Sequence, residues 1–349
     1  MFLNTPNGQI YVSFNQLKNY CCFGTDIGFY VYQLSPFKKM VSRKIEGGVS
    51  MIKMLHESNI FIFVGKSKAN LYPRNKLIIW NDENKSVLGE INFNSDIKDV
   101  NITKDYILVL CNSKMYVYKF DNLSLVKSID VSSNEIIMGM GIEGSKYIIY
   151  TGDEKGVIMI TKFDEDYFTQ IKAHQHEIDN LSVSNDGKYL ITASTKGTLI
   201  RIFDIKSGEL IQEVRRGCDP VKILDLSLSN DNSVLLVSSV KGTLHLYNTE
   251  LNEECEIKNK LWDDYGMKYI RNVLPDYFSS QWSFSQIYLS GVETFSVVDN
   301  KKKKVYVLGN NGQYYIVDYE DTLNPVIEKT VKYISDESDP FSERSTTIR

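Results

Sequence analysis

The sequence predicts an all-β chain folded as a β-propeller of four-stranded antiparallel blades. Three observations predict it. The phrase S-x-K-G-T-L occurs at Ser194 to Leu199 and again at Ser239 to Leu244, an offset of 45 residues, and one propeller blade has about that period. The composition favours strands, with 22 Tyr and 16 Phe beside frequent Val and Ile, residue types that suit a pleated, half-buried surface. Short apolar runs recur along the chain and are joined by hairpin turns such as Asn185-Asp186-Gly187 and Asn230-Asp231-Asn232.

Taken in order, the runs group into seven blades. The first has strands at Ile10 to Asn15, Tyr20 to Thr25, Phe29 to Leu34 and Lys39 to Ile45, before Glu46-Gly47-Gly48. Because that blade has all four strands, the last is expected to have four too. The ring then closes by packing first against last, without strand exchange. The second blade reads Val49 to Leu55, Ile60 to Gly65, Lys76 to Trp80 and Ser86 to Phe93. A long connection, Lys66 to Asn75, separates its middle strands and carries three basic residues. The third blade runs from Ile97 to Ile129. The fourth runs from Ile136 to Ile171 and contains the turn Thr151 to Gly156. The fifth and sixth blades hold the two copies of the repeat. After Asn248 the rhythm breaks, and the next strand-like run starts near Trp282. The seventh blade runs from Gly291 to about Ile334, with Lys301 to Lys304 as a hairpin tip.

The reading is one propeller over residues 1–334, an insertion at about 249–281 within blade six, and a polar, disordered tail at 335–349. Length alone would suggest about two domains, but repetition overrides that prior. A net charge of −4 gives no global basic field for nucleic acid or an acidic surface. Anion binding must be local. Cys21, Cys22, Cys111, Cys218 and Cys255 show neither metal spacing nor a disulfide framework, so reduced thiols are expected. With no leader-like segment and no apolar run long enough to span a bilayer, a cytoplasmic protein, at most peripheral on membranes, is expected.

The local anion site is expected where the repeats meet, at Val214-Arg215-Arg216-Gly217. Glu209 to Val214 reads as a strand that Gly217 ends. Neighbouring strand residues point to opposite sides, so Arg215 and Arg216 cannot easily serve one pocket. Arg215 is assigned to the first cleft, with Thr192, Ser194, Lys196 and Thr198. Arg216 is assigned to the second, with Ser238, Ser239, Lys241 and Thr243. A guanidinium fork among hydroxyl and ammonium donors suits a phosphate.

On these residues the chain resembles the PROPPIN family of seven-bladed, phosphoinositide-binding propellers. The Arg-Arg-Gly signature stands at Arg215 to Gly217, with Val214 where the family has an aromatic residue or Leu. Leu274-Pro275-Asp276-Tyr277-Phe278-Ser279-Ser280-Gln281-Trp282-Ser283-Phe284 is similar to its L-P-x-Y-F-S-S-x-W-S-F segment, and Tyr11-Val12-Ser13-Phe14-Asn15-Gln16 to Y-x-S-F-N-Q. The resemblance implies recognition of phosphatidylinositol 3-phosphate and phosphatidylinositol 3,5-bisphosphate, and recruitment of autophagy or endomembrane machinery, including a lipid-transfer partner, to preautophagosomal, endosomal or vacuolar membranes. It places His174 and Arg201 at the first pocket and His245 at the second, although His174 also reads as a structural element of a WD-type blade and Arg201 as the partner of a blade carboxylate. It implies a partner contact at Pro73 and Arg74. It also implies membrane insertion by the blade-six loop, where Trp262, Tyr265, Tyr269 and Val273 fall near helical spacing; the same stripe could fold back on the propeller. The sequence offers no Ser/His/Asp set, metal cluster or nucleotide loop in a persuasive context. A non-catalytic, cofactor-free and monomeric binding protein is expected, with a lipid-free protein scaffold as the competing class.

Overall fold

Seven sheets stand in sequence order around one axis. The computed structural model describes residues 1–6, 8–67, 71–132, 135–141, 146–249, 251 and 281–334, and every regular element among them is a β-strand. Blade 2 is typical: Val49–Met54, Ile60–Gly65, Lys76–Asn81 and Ser86–Asn92 pair antiparallel in that order. Blade 5 uses Ile178–Val183, Tyr189–Ser194, Leu199–Asp204 and Leu210–Arg215. Blade 6 uses Ile223–Leu228, Val234–Ser239, Thr243–Asn248 and Ser285–Tyr288. Blade 7 uses Thr294–Asp299, Lys304–Gly309, Gln313–Asp318 and Val326–Lys332.

Position within a blade decides composition. Each second strand is sandwiched between neighbouring sheets, so Tyr189–Ser194 and Val234–Ser239 are buried at every residue and read as continuous apolar or small-hydroxyl runs. Outer strands such as Lys38–Lys44 expose alternate residues, among them Lys38 and Lys44. The glycines of S-x-K-G-T-L have a steric reason. Gly197 and Gly242 adopt φ of +61° and +75°, and a Cβ would sit 1.8 Å from the Val221 carbonyl oxygen or 2.1 Å from that of Leu289. Only glycine fits that left-handed turn beneath the link into the next blade.

The ring closes without strand exchange, as expected, because the last sheet is built wholly from Thr294 to Lys332. Phe23, Tyr30, Tyr32 and Leu34 of blade 1 share one core with Phe295, Tyr306, Tyr314 and Tyr333 of blade 7. Phe23 stacks on Tyr333 at 5.1 Å and Phe37 on Tyr314 at 4.0 Å. The Tyr314 hydroxyl donates to the Leu34 carbonyl at 2.6 Å.

The first blade departs from expectation. A fifth strand, Phe2–Thr5, pairs with Gly8–Phe14 on the axial side of the sheet. The alternation that marks strands is hard to see in four residues, so the sequence does not announce it. Gln16, from the Y-x-S-F-N-Q stretch, lies at the tip of the next hairpin and crosses the axis. Its side chain accepts from the His56 amide at 2.6 Å and donates to the Ile102 carbonyl at 3.1 Å. Its own carbonyl accepts from Asn185 at 3.1 Å. One hairpin thus ties blade 1 to blades 2, 3 and 5. A cavity of about 250 Å³ remains on the axis, with Lys18, Lys53 and Asp225 among its lining. Burial there raises the Asp225 carboxyl to about 6.

A candidate anion-binding site across blades 4, 5 and 6

Cross-strand register fixes the side that Arg215 faces. Val214 is buried against blade 6 within Leu210–Arg215, so its neighbours Glu213 and Arg215 face blade 4. Thr192 stands opposite Arg201, and Arg201 opposite Glu213. These three form one row on the blade 4 side, and Ser194 and Arg215 extend the same face toward the end of the sheet. His174 arrives from the link that follows blade 4, and its Nε2 lies 3.0 Å from Thr192 Oγ1. Burial, and then the nearby Arg201 charge, lower the His174 imidazole to about 4. Arg201 Nε donates to Glu213 Oε2 at 2.8 Å and its Nη1 to the Ala173 carbonyl at 2.6 Å. Arg201 therefore holds the link bearing His174 against the strand bearing Arg215, with Glu213 as its blade carboxylate.

Arg216 lies one residue past the strand, which runs Leu210–Arg215 where the sequence suggests Glu209 to Val214. Its amide donates to the Thr198 carbonyl at 2.9 Å and its Nε to the Gly197 carbonyl at 3.0 Å. These bonds lead the chain over the turn of blade 5 toward blade 6. There, burial and then the Arg216 charge lower the His245 imidazole to about 4. His245 stands opposite Val237 and Gln286, and its Nδ1 lies 3.3 Å from Ser283 Oγ. Ser239 Oγ and Thr243 Oγ1 are 2.7 Å apart on the same face.

The structure thus groups His174, Thr192, Ser194, Arg201 and Arg215 on one side of blade 5. It groups Arg216, Ser239, Thr243 and His245 on the other. Lys196 and Lys241 are exposed at the turn tips beside them. Thr198 is buried at the turn and meets Arg216 through its backbone. Ser238 does not join the second group: strand alternation turns it toward blade 7, where its hydroxyl donates to the Thr294 carbonyl at 3.0 Å. Gly217 has open space where a Cβ would stand.

Several residues here were not singled out in the sequence. Glu213 shares strand parity with Arg215, and that signal could have found it. Ser283 and Trp282 lie inside the L-P-x-Y-F-S-S-x-W-S-F segment. Gln281–Trp282 forms a short strand paired parallel with blade 5, placing Trp282 opposite Arg215. Gln212, buried in that blade, donates to the Gln281 side chain at 2.5 Å and to the Asn248 carbonyl at 3.0 Å. It joins the two roots of the insertion. Gln286 and Tyr288 depend on a register set after the insertion, which sequence spacing does not give. Trp262, Tyr265, Tyr269 and Val273, and residues 335–349, lie outside the described residues.

Pro73 and Arg74 sit in the blade 2 connection, at the same end of the blades as Lys196 and Lys241. Arg74 is exposed, and its Nε donates to the Lys66 carbonyl at 2.6 Å. The Arg74 carbonyl accepts from the Ile97 amide at 3.0 Å. The connection is pinned at Arg74, with Leu71 72% exposed while Tyr72 packs inward against Phe63.

A family model described as PROPPIN matches residues 9–300. The chain is 32% identical over 311 residues to autophagy-related protein 18e of Arabidopsis thaliana, covering 87% of this chain and 81% of that protein. Its fold is similar to that of Kluyveromyces lactis Hsv2, with a TM-score of 0.75 at 23% identity, over 92% of this chain and 98% of that one. It is also similar to the fold in a complex of KlAtg21 with the coiled-coil of AgAtg16, with a TM-score of 0.73 at 21% identity, over 95% of this chain and 99% of that one.

Proposed function

The chain belongs to the PROPPIN family, and from that premise we propose that it is a non-catalytic adaptor that reads phosphoinositides on a membrane through two pockets. The observation that carries this reading is the division of the arginines: Arg215 faces blade 4 beside His174 and Thr192, while Arg216, just past the strand, turns to blade 6 beside His245. Each pocket combines a guanidinium, a neutral imidazole and hydroxyls, with an exposed lysine at its turn. That donor set suits a phosphate carried on a polyol ring. Two such sites on one rim suit a ligand displayed in many copies, because linked weak sites gain roughly 10²–10⁴ in avidity.

The headgroups are phosphatidylinositol 3-phosphate and phosphatidylinositol 3,5-bisphosphate. The role is to bring autophagy or endomembrane machinery to a marked membrane, as a cytoplasmic, peripherally bound protein. The blade 2 connection with Leu71, Pro73 and Arg74 is the partner contact; the exposure of Leu71 and Arg74 also favours the second reading, a protein scaffold without lipid binding. Flotation with liposomes carrying either phosphoinositide separates the two. Binding lost on Arg215→Thr with Arg216→Thr, in a folded protein, supports the adaptor. No binding by the unsubstituted protein supports the scaffold.

A further inference from the structure

The two pockets occupy the same row of their blades but differ at its outer end. In blade 5 the row runs Leu181, Thr192, Arg201, Glu213. In blade 6 it runs Leu226, Val237, His245, Gln286. The outer residue is a carboxylate in the first pocket and an amide in the second. Glu213 is largely buried and 2.8 Å from Arg201, so part of the Arg201 charge is already met. A carboxylate also accepts hydrogen bonds only. Gln286 is neutral, and its Nε2 donates to Ser283 Oγ at 3.0 Å.

We propose that Glu213 makes the two pockets unequal. The first takes a ring with one phosphate and accepts one of its hydroxyls at the carboxylate; the second admits a ring with two phosphates. This rests on the phosphoinositide reading above. A second phosphate on the ring would be dianionic or nearly so, and a like charge a few ångströms away in a partly buried site costs affinity by about tenfold or more. In the second pocket the same place offers an amide that can donate to it. The repeat hides the difference, because Glu213 and Gln286 lie on opposite sides of the insertion and do not align at the 45-residue offset.

Single-pocket variants test this. Arg216→Thr leaves the first pocket and Arg215→Thr the second. Each is measured by flotation with vesicles of phosphatidylcholine carrying either the 3-phosphate or the 3,5-bisphosphate lipid. The Arg216→Thr protein is expected to prefer the monophosphate by about tenfold, and the Arg215→Thr protein to bind the bisphosphate at least as well as the monophosphate. Adding Glu213→Gln to Arg216→Thr should raise bisphosphate binding by a similar factor. Since that change also removes the partner of Arg201, Gln286→Glu in Arg215→Thr is the reciprocal arm, and it should lower bisphosphate binding. The same lipid preference in both single-pocket variants, or no effect of Gln286→Glu, overturns the inference and leaves the phosphoinositide reading standing. No binding of either vesicle by the unsubstituted protein overturns both.

Discussion

The Tyr247 hydroxyl donates to the Arg215 carbonyl at 3.1 Å. The blade that forms the second pocket thereby holds the peptide that joins the two arginines. Tyr247 is fully buried and its hydroxyl titrates well above the usual range, mainly because of burial, so the bond is sheltered from water. Tyr247→Phe removes the donor and keeps the ring. It is expected to cost about 1 kcal/mol of stability and to weaken liposome binding severalfold through both pockets. Denaturant unfolding and flotation on one preparation check it; full binding with the expected stability loss would show that the peptide needs no such support.

The histidines predict two pH effects. His174 and His245 titrate near 4 in the folded protein, below the ordinary 6.5. An unfolded chain therefore takes up protons between about pH 6.5 and 4 that the folded one refuses, and stability falls as pH falls through that window. Each histidine contributes up to roughly 3 kcal/mol. Asp225, raised to about 6, acts oppositely and offsets part of the loss. Bound phosphate should raise both imidazoles, so affinity for soluble headgroup should rise between pH 7 and 5, before the fold is lost. Calorimetry across that range is the check. A flat profile, or one unchanged by His174→Asn with His245→Asn, would place the imidazoles away from the ligand.

Three glycines at the same end of blades 5 and 6 should behave differently. Gly242→Ala strains a left-handed turn and drives a Cβ to 2.1 Å from the Leu289 carbonyl oxygen. The backbone conformation alone costs about 1–2 kcal/mol, so a clear fall in melting temperature is expected, as for Gly197→Ala. Gly217→Ala meets nothing. It should melt like the unsubstituted protein yet bind liposomes less well, because a headgroup beside Arg216 would occupy that open space. Equal melting temperatures for Gly217→Ala and Gly242→Ala would contradict the steric account.

Much of the architecture was legible because each blade repeats one pattern. Buried middle strands give continuous apolar runs, outer strands alternate, and the S-x-K-G-T-L glycines fix two turns. The side that Arg215 faces was legible for the same reason, since strand parity needs only sequence distance; Arg216 lies past the strand, and its bonds to Gly197 and Thr198 lead it toward blade 6. What sequence could not give depended on contacts between distant segments. The Phe2–Thr5 strand is too short to show a period. Ser238 has the right chemistry, but the one-residue step from Ser239 turns it to blade 7. Trp282 reads as a blade 6 residue, yet its backbone pairs with Arg215 of blade 5. Gln16 matched a motif with no stated purpose; its bonds to His56 and Ile102 supply one.

The central claim, two phosphate pockets divided between Arg215 and Arg216, is tested most directly by headgroup stoichiometry. Calorimetric titration with the soluble headgroup, inositol 1,3-bisphosphate, needs no membrane and counts sites. Each arginine should supply charge-assisted bonds of roughly 1.5–3 kcal/mol, enough to make a site undetectable when removed. The account predicts about two headgroups per chain for the unsubstituted protein, about one for either Arg215→Thr or Arg216→Thr, and none for the double substitution in a protein that still melts cooperatively. One headgroup per unsubstituted chain, or binding retained by the folded double variant, would contradict it.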